Sequence, residues 1–142
     1  MKRLRYLPLL LVAALVTVAA VLPNFTLADL RSALPWFSAL INRVEALHPG
    51  VDGTHVLMFL GVGAAMVLAL PRRHWLPRGG WAMVGVLVAA LASEFVQFWV
   101  PGRTPLWSDV RDDLLGGLLG VLVSTLVVWL WRCRPRRTAS PE

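Results

Sequence analysis

The chain has 142 residues, a formal net charge of +6, 57% apolar residues and only 15% charged ones, with a mean hydropathy of +0.65. That balance excludes an ordinary soluble domain and points to an all-α integral membrane protein. The basic residues and seven tryptophans suit membrane interfaces, so the positive charge does not imply a nucleic-acid partner. The one cysteine, Cys133, excludes an internal disulfide or a cysteine zinc cage.

The first apolar stretch covers residues 6–22. Lys2, Arg3 and Arg5 before it and the triplet Val18-Ala19-Ala20 also fit a signal peptide, but the run is long for a signal core and reads as a retained span. The outer segment 23–53 follows. Thr26 suits an N-cap with Asp29 three residues on, and Leu30, Leu34, Phe37, Ile41, Val44 and Leu47 recur at helical spacing among polar residues. This predicts an amphipathic helix, or two broken at Pro35, lying in the outer interface; thirty residues hold too little core for a separate subdomain.

Three more apolar stretches cover residues 54–70, 81–100 and 114–131. Each of the four is long enough as a helix to cross a hydrocarbon layer of about 30 Å. The whole chain, 1–142, reads as a single membrane domain. Ten basic residues (Lys2, Arg3, Arg5, Arg72, Arg73, Arg78, Arg132, Arg134, Arg136 and Arg137) flank one side of this layout, against Arg31, Arg43, Arg103 and Arg111 on the other. The positive-inside rule therefore puts both termini in the cytoplasm. Six acids, Asp29, Glu45, Asp52, Asp109, Asp112 and Asp113, then fall outside.

Glu94 and Gln97 interrupt the third stretch. With that helix running to Val100, Glu94 lies roughly 10 Å below its outer end, with Gln97 on the same face. A carboxyl at such a depth is costly unless it faces a polar interior, which makes it a functional candidate. Asp52 and His55 enter the second span from the same side, and Arg103, Asp109 and Asp113 lie in the outer loop or at the start of the fourth helix. These residues are expected to share one outer mouth. Asp112 reads as a solvated cap and Arg111 as a solvated residue or a headgroup neighbour. In the mouth, Gln97, Arg103, Asp113 and Asp52 would bind a ligand, Arg103 clamping an anion through its planar donors. If the protein is an enzyme, Glu94, His55 and Asp109 would carry acid–base chemistry. Two or three carboxylates with His55 are also a donor set for a divalent ion, but no ligand motif such as HExxH is present, so no metal or other cofactor is assigned. Gly116 and Gly120 form a small-xxx-small face for close helix packing within the chain, a face that would also serve a homo-oligomer.

Together "THVLMF" (54–59), "SEFVQFWVPGRTPLWSDV" (93–110) and "GGLLG" (116–120) resemble the VanZ-like family. The matching positions are His55 and Phe59, Glu94 and Gln97, Pro101 to Arg103, Asp109, and Gly116 and Gly120. Two positions depart from the family pattern: Asp52 stands where a Lys is usual and Asp113 where an Asn is usual, both making the mouth more negative. The resemblance implies a multi-pass protein of the bacterial cytoplasmic membrane, from a family named for resistance to the glycopeptide teicoplanin, and supplies no mechanism. Three functions follow as expectations. The first is a binder of membrane lipid or of a lipid-linked envelope precursor, through its headgroup. The others are an enzyme acting on a lipid-linked phosphate or glycan, and a small proton-coupled transporter or flippase subunit.

Overall fold

A computed structural model describes residues 6–21, 24–70 and 75–133. Their regular structure is α-helical: α1 (Leu7–Val21), α2 (Asn24–Ala33), α3 (Pro35–Leu47), α4 (Gly53–Ala69), α5 (Trp75–Gln97) and α6 (Trp107–Cys133). Lys2, Arg3, Arg5, Arg72, Arg73, Arg134, Arg136 and Arg137, on which the orientation argument leans, lie outside the described residues, as does the Thr26 side chain.

Two helices among the described residues are long and apolar enough to cross a membrane, at Arg78–Gln97 and Trp107–Cys133, while Leu7–Val21 and Gly53–Ala69 are shorter apolar helices. Only 28% and 22% of the most apolar windows of the two long helices are buried within the chain. Most of their apolar surface therefore faces outward, as it would toward lipid and not as in the core of a soluble protein.

The outer segment is two helices, as the proline suggests. Pro35 stands in the first turn of α3, where its missing N–H breaks no helical bond, and the freed amides of Phe37 and Ser38 both donate to the Leu34 carbonyl at 3.0 Å. Arg31 on α2 reaches back to Glu45 on α3 at 3.4 Å. Ile41 is fully buried, and a Cβ on Gly53 would strike its carbonyl oxygen at 2.9 Å, so α3 sits tightly on the start of α4. Leu47, the last residue of the periodic series, is instead exposed. α2 begins at Asn24, two residues before the expected Thr26 cap.

The ends of the later helices differ more from expectation. α5 starts at Trp75, not at position 81, with Pro77 tolerated in its first turn, and it ends at Gln97, three residues short of Val100. α6 starts at Trp107, seven residues before the expected boundary. Asp109, Asp112 and Asp113 are therefore helical residues and not loop residues.

α4 is the hub. It runs in the same direction as α6, with Val56 against Gly116 and Leu60 against Gly120. A Cβ on either glycine would overlap those carbonyl oxygens, and one on Gly63 would overlap the Gly117 carbonyl. The glycines thus let two backbones meet, and α5 closes the third side by placing Val86 over Gly117. Gly116 and Gly120 are buried against α4. Val16 of α1 joins Phe59, Val62, Val86, Ala90 and Val110 in the main apolar cluster.

Candidate functional site

The start of α4, the end of α5 and the start of α6 bring charged side chains together inside this frame. Asp52 caps α4, its Oδ1 accepting from the amides of Thr54 at 2.7 Å and His55 at 3.3 Å. The cap fixes the first turn of α4, and with it the imidazole of His55. Nδ1 of His55 lies 2.8 Å from Oδ1 of Asp113, which is fully buried. With Nδ1–H donating to that carboxylate, Nε2 is left as the free ring nitrogen. It points toward Oδ2 of Asp109, 3.8 Å away. Asp109 and Asp113 are one helical turn apart on α6, so both address the same imidazole.

Ser93 of α5 adds a third side. Its hydroxyl lies 2.8 Å from the Ala90 carbonyl and 3.4 Å from Oδ2 of Asp113. The next residue, Glu94, is 7% exposed. Its Oε2 accepts the Leu106 amide at 3.0 Å, tying the end of α5 to the approach to α6, whereas its Oε1 is buried with no hydrogen-bond partner. Since α5 stops at Gln97, Glu94 lies in the last turn, only about 5 Å from the helix end and not the roughly 10 Å expected.

A cavity of about 270 Å³ opens beside this cluster. Val16, Ala19, Ala20, Met58 and Phe59 form apolar walls, and Arg31, Asp52, His55, Ser93, Gln97 and Arg103 supply polar groups. Arg103 also donates to the Ala19 carbonyl at 3.1 Å, which pins the outer loop to α1. Gly102 precedes it with φ +79°, in the left-handed region that glycine adopts without strain. The expected mouth is therefore divided. His55, Gln97, Arg103 and Asp52 line the cavity, Asp113 is buried behind His55, and Glu94 lines a separate apolar groove of about 460 Å³ with Phe95, Phe98, Trp99, Leu106 and Trp107.

Asp112 is where the sequence reading fails. Expected to be a solvated cap, it is 1% exposed, accepts the Asp52 amide at 2.7 Å and takes Arg111 Nε at 2.8 Å. Arg111 in turn donates to the Gly50 carbonyl at 2.6 Å. The pair fastens the turn before α4 to α6, so Asp112→Ala is expected to lower stability by about 2 kcal/mol through the buried donor it strands. Asp112→Asn, which keeps an acceptor, should lose less; thermal unfolding in detergent compares them. Arg31 also lines the cavity, with only its place on the amphipathic helix, two residues from Asp29, as a cue in the sequence. Ser93, which the sequence offers as a nucleophile without support, joins the site through Asp113.

A buried carboxylate, an imidazole held by a second carboxylate and two guanidinium groups at one cavity can bind a polar headgroup, transfer a proton or hold a cation. No curated protein and no solved structure matches the chain. The model of the VanZ/LLP1 family matches residues 7–129, a span that contains every residue of this site, and the chain belongs to that family.

Proposed function

We propose that the protein crosses the bacterial cytoplasmic membrane four times, through α1, α4, α5 and α6, with both termini inside, and that its outer cavity binds the headgroup of a lipid or lipid-linked envelope precursor. The observation that carries this reading is the cavity's mixed lining, in which Arg31, Arg103, Gln97 and His55 face a wall of Val16, Ala19 and Ala20. A volume of about 270 Å³ suits a headgroup more than a whole lipid. Arginines bind phosphate oxygens through paired donors, and apolar walls fit the adjoining glycerol or prenyl carbons. Occupancy of such a site would tie the family's association with glycopeptide sensitivity to an envelope lipid.

Native mass spectrometry of the detergent-purified protein is expected to show one retained phospholipid or polyprenyl-phosphate species. Arg31→Ala should lower its retention by about tenfold, the loss expected for one charged hydrogen bond. Absence of retained lipid in the wild type, or retention undiminished in both Arg31→Ala and Arg103→Ala, would sink the proposal. The topology has its own test in a Cys133→Ser background. Thr104→Cys should react with an impermeant maleimide added outside the cell, and Pro77→Cys should react only after lysis.

A second reading is favoured by the 2.8 Å contact of His55 with Asp113. A carboxylate that orients an imidazole is the arrangement used for general base catalysis, and it supports an enzyme acting on a lipid-linked phosphate or glycan. Turnover of such a substrate by the pure protein, lost in His55→Gln and Glu94→Gln, would establish that reading; lipid retained without product would remove it.

A further inference from the structure

Three side chains from three helices converge behind the cavity. His55 on α4, Glu94 on α5 and Asp113 on α6 each offer a donor atom, and those atoms lie within 4.8 Å of one another. Three ligands on one ion at about 2.0–2.2 Å sit roughly 3.3–3.6 Å apart in a tetrahedral shell, so side-chain rotations that move these atoms by up to about an ångström would close the set. Glu94 supplies an independent sign that something is missing. Its Oε2 is satisfied by the Leu106 amide, while Oε1 is buried without a partner. A buried carboxylate oxygen in that condition calls for a proton or a cation.

The charge balance favours a cation of more than one unit. Asp112 is matched by Arg111 at 2.8 Å and stands outside this balance. Within the cluster, Glu94, Asp109 and Asp113 face one imidazole, and Arg103 acts on Glu94. With the imidazole neutral, as a metal ligand must be, three carboxylates and one guanidinium leave two negative charges in a region of low dielectric, where unmatched charge is expensive.

We propose that His55, Glu94 and Asp113 form a site for a divalent first-row metal ion. The imidazole nitrogen favours zinc over magnesium or calcium, which prefer all-oxygen shells, while the two carboxylates also suit manganese. Asp109, whose Oδ2 is 3.8 Å from Nε2 of His55, adds a carboxylate beside the site. Ser93, 3.4 Å from Asp113, supports the ligand carboxylate from behind. The proposal shares His55 with the lipid reading, but it is measured without lipid substrate, so either can fail while the other stands.

The test uses full-length protein in detergent, in a Cys133→Ser background with any affinity tag removed. After chelation, zinc, manganese, magnesium and calcium salts are added separately, and bound metal and thermal midpoint are measured. About one zinc or manganese ion per chain is expected, with a raised midpoint. Glu94→Gln, His55→Gln and Asp113→Asn should each weaken binding by about tenfold or more, whereas Asp29→Asn should bind as wild type does. No uptake of either ion at millimolar concentration overturns the proposal, as does unchanged uptake in all three variants. Because a variant can fail to fold, the wild-type zinc complex is also examined by X-ray absorption. One imidazole nitrogen with carboxylate oxygens is expected; a shell without a nitrogen donor places the ion elsewhere and overturns the assignment.

Discussion

Gly120→Val and Gly116→Val should each prevent accumulation of the folded protein, or lower its stability by about 3 kcal/mol or more. At Gly116 the new Cβ meets the Val56 carbonyl, and at Gly120 the Leu60 carbonyl with the Ala64 amide 2.9 Å away. Backbone atoms of a packed helix cannot turn aside as a side chain can. α4 and α6 would have to separate, and the loss would spread along the seam and exceed ordinary overpacking. Gly80→Val is the matched control, because nothing lies near its position. Folded yield by size-exclusion chromatography and thermal unfolding should separate the pairs. Equal yields for Gly120→Val and Gly80→Val would mean that the helices do not meet at this face.

The second large effect concerns Asp113. Its carboxylate is fully buried between the His55 imidazole and the Ser93 hydroxyl, and alanine would leave the imidazole Nδ1–H without its acceptor, while Ser93 keeps the Ala90 carbonyl. A loss on the order of 3 kcal/mol is expected from stranding a buried partner. Asp113→Asn retains an acceptor oxygen and should recover part of it. If the contact carries the effect, His55→Ala should add little to Asp113→Ala. Additive losses in that double-mutant cycle would show that the two side chains act separately.

How much of this was readable beforehand depends on the kind of signal. The apolar stretches announced α1, α4, α5 and α6, and Pro35 announced the break between α2 and α3, because hydropathy and proline act locally. The pairing of His55 with the acids of α6 was anticipated only as a shared mouth, inferred from positions on one side of a membrane. What was missed lies at the helix ends. The segment Trp107 to Asp113 is polar and reads as a loop, yet tertiary packing carries the helix through it. A cue was present: Asp109, Asp113, Gly116 and Gly120 follow at i, i+4, i+7 and i+11, one helical stripe extending the glycine face outward. Asp112 escaped notice because its partners, the Asp52 amide and Arg111, include a backbone group sixty residues away. Both departures from the family pattern acquire a geometric role. Asp52 caps α4, and Asp113 holds the imidazole.

The unequal lengths of the helices bear on how the surrounding bilayer must deform. α4 has 17 residues, about 25 Å of helix, against about 40 Å for the 27 residues of α6. A hydrocarbon layer of about 30 Å is thicker than α4 is long. With the proposed topology, lipid beside α4 must compress, while α6 stands proud or tilts. The dimple falls on the side where Met58 and Phe59 of α4 wall the cavity. Headgroups there would be drawn down to the level of His55, so a lipid would need to travel less far out of its leaflet to reach the polar groups. Thicker membranes would make that descent steeper, which turns acyl-chain length into a control on access.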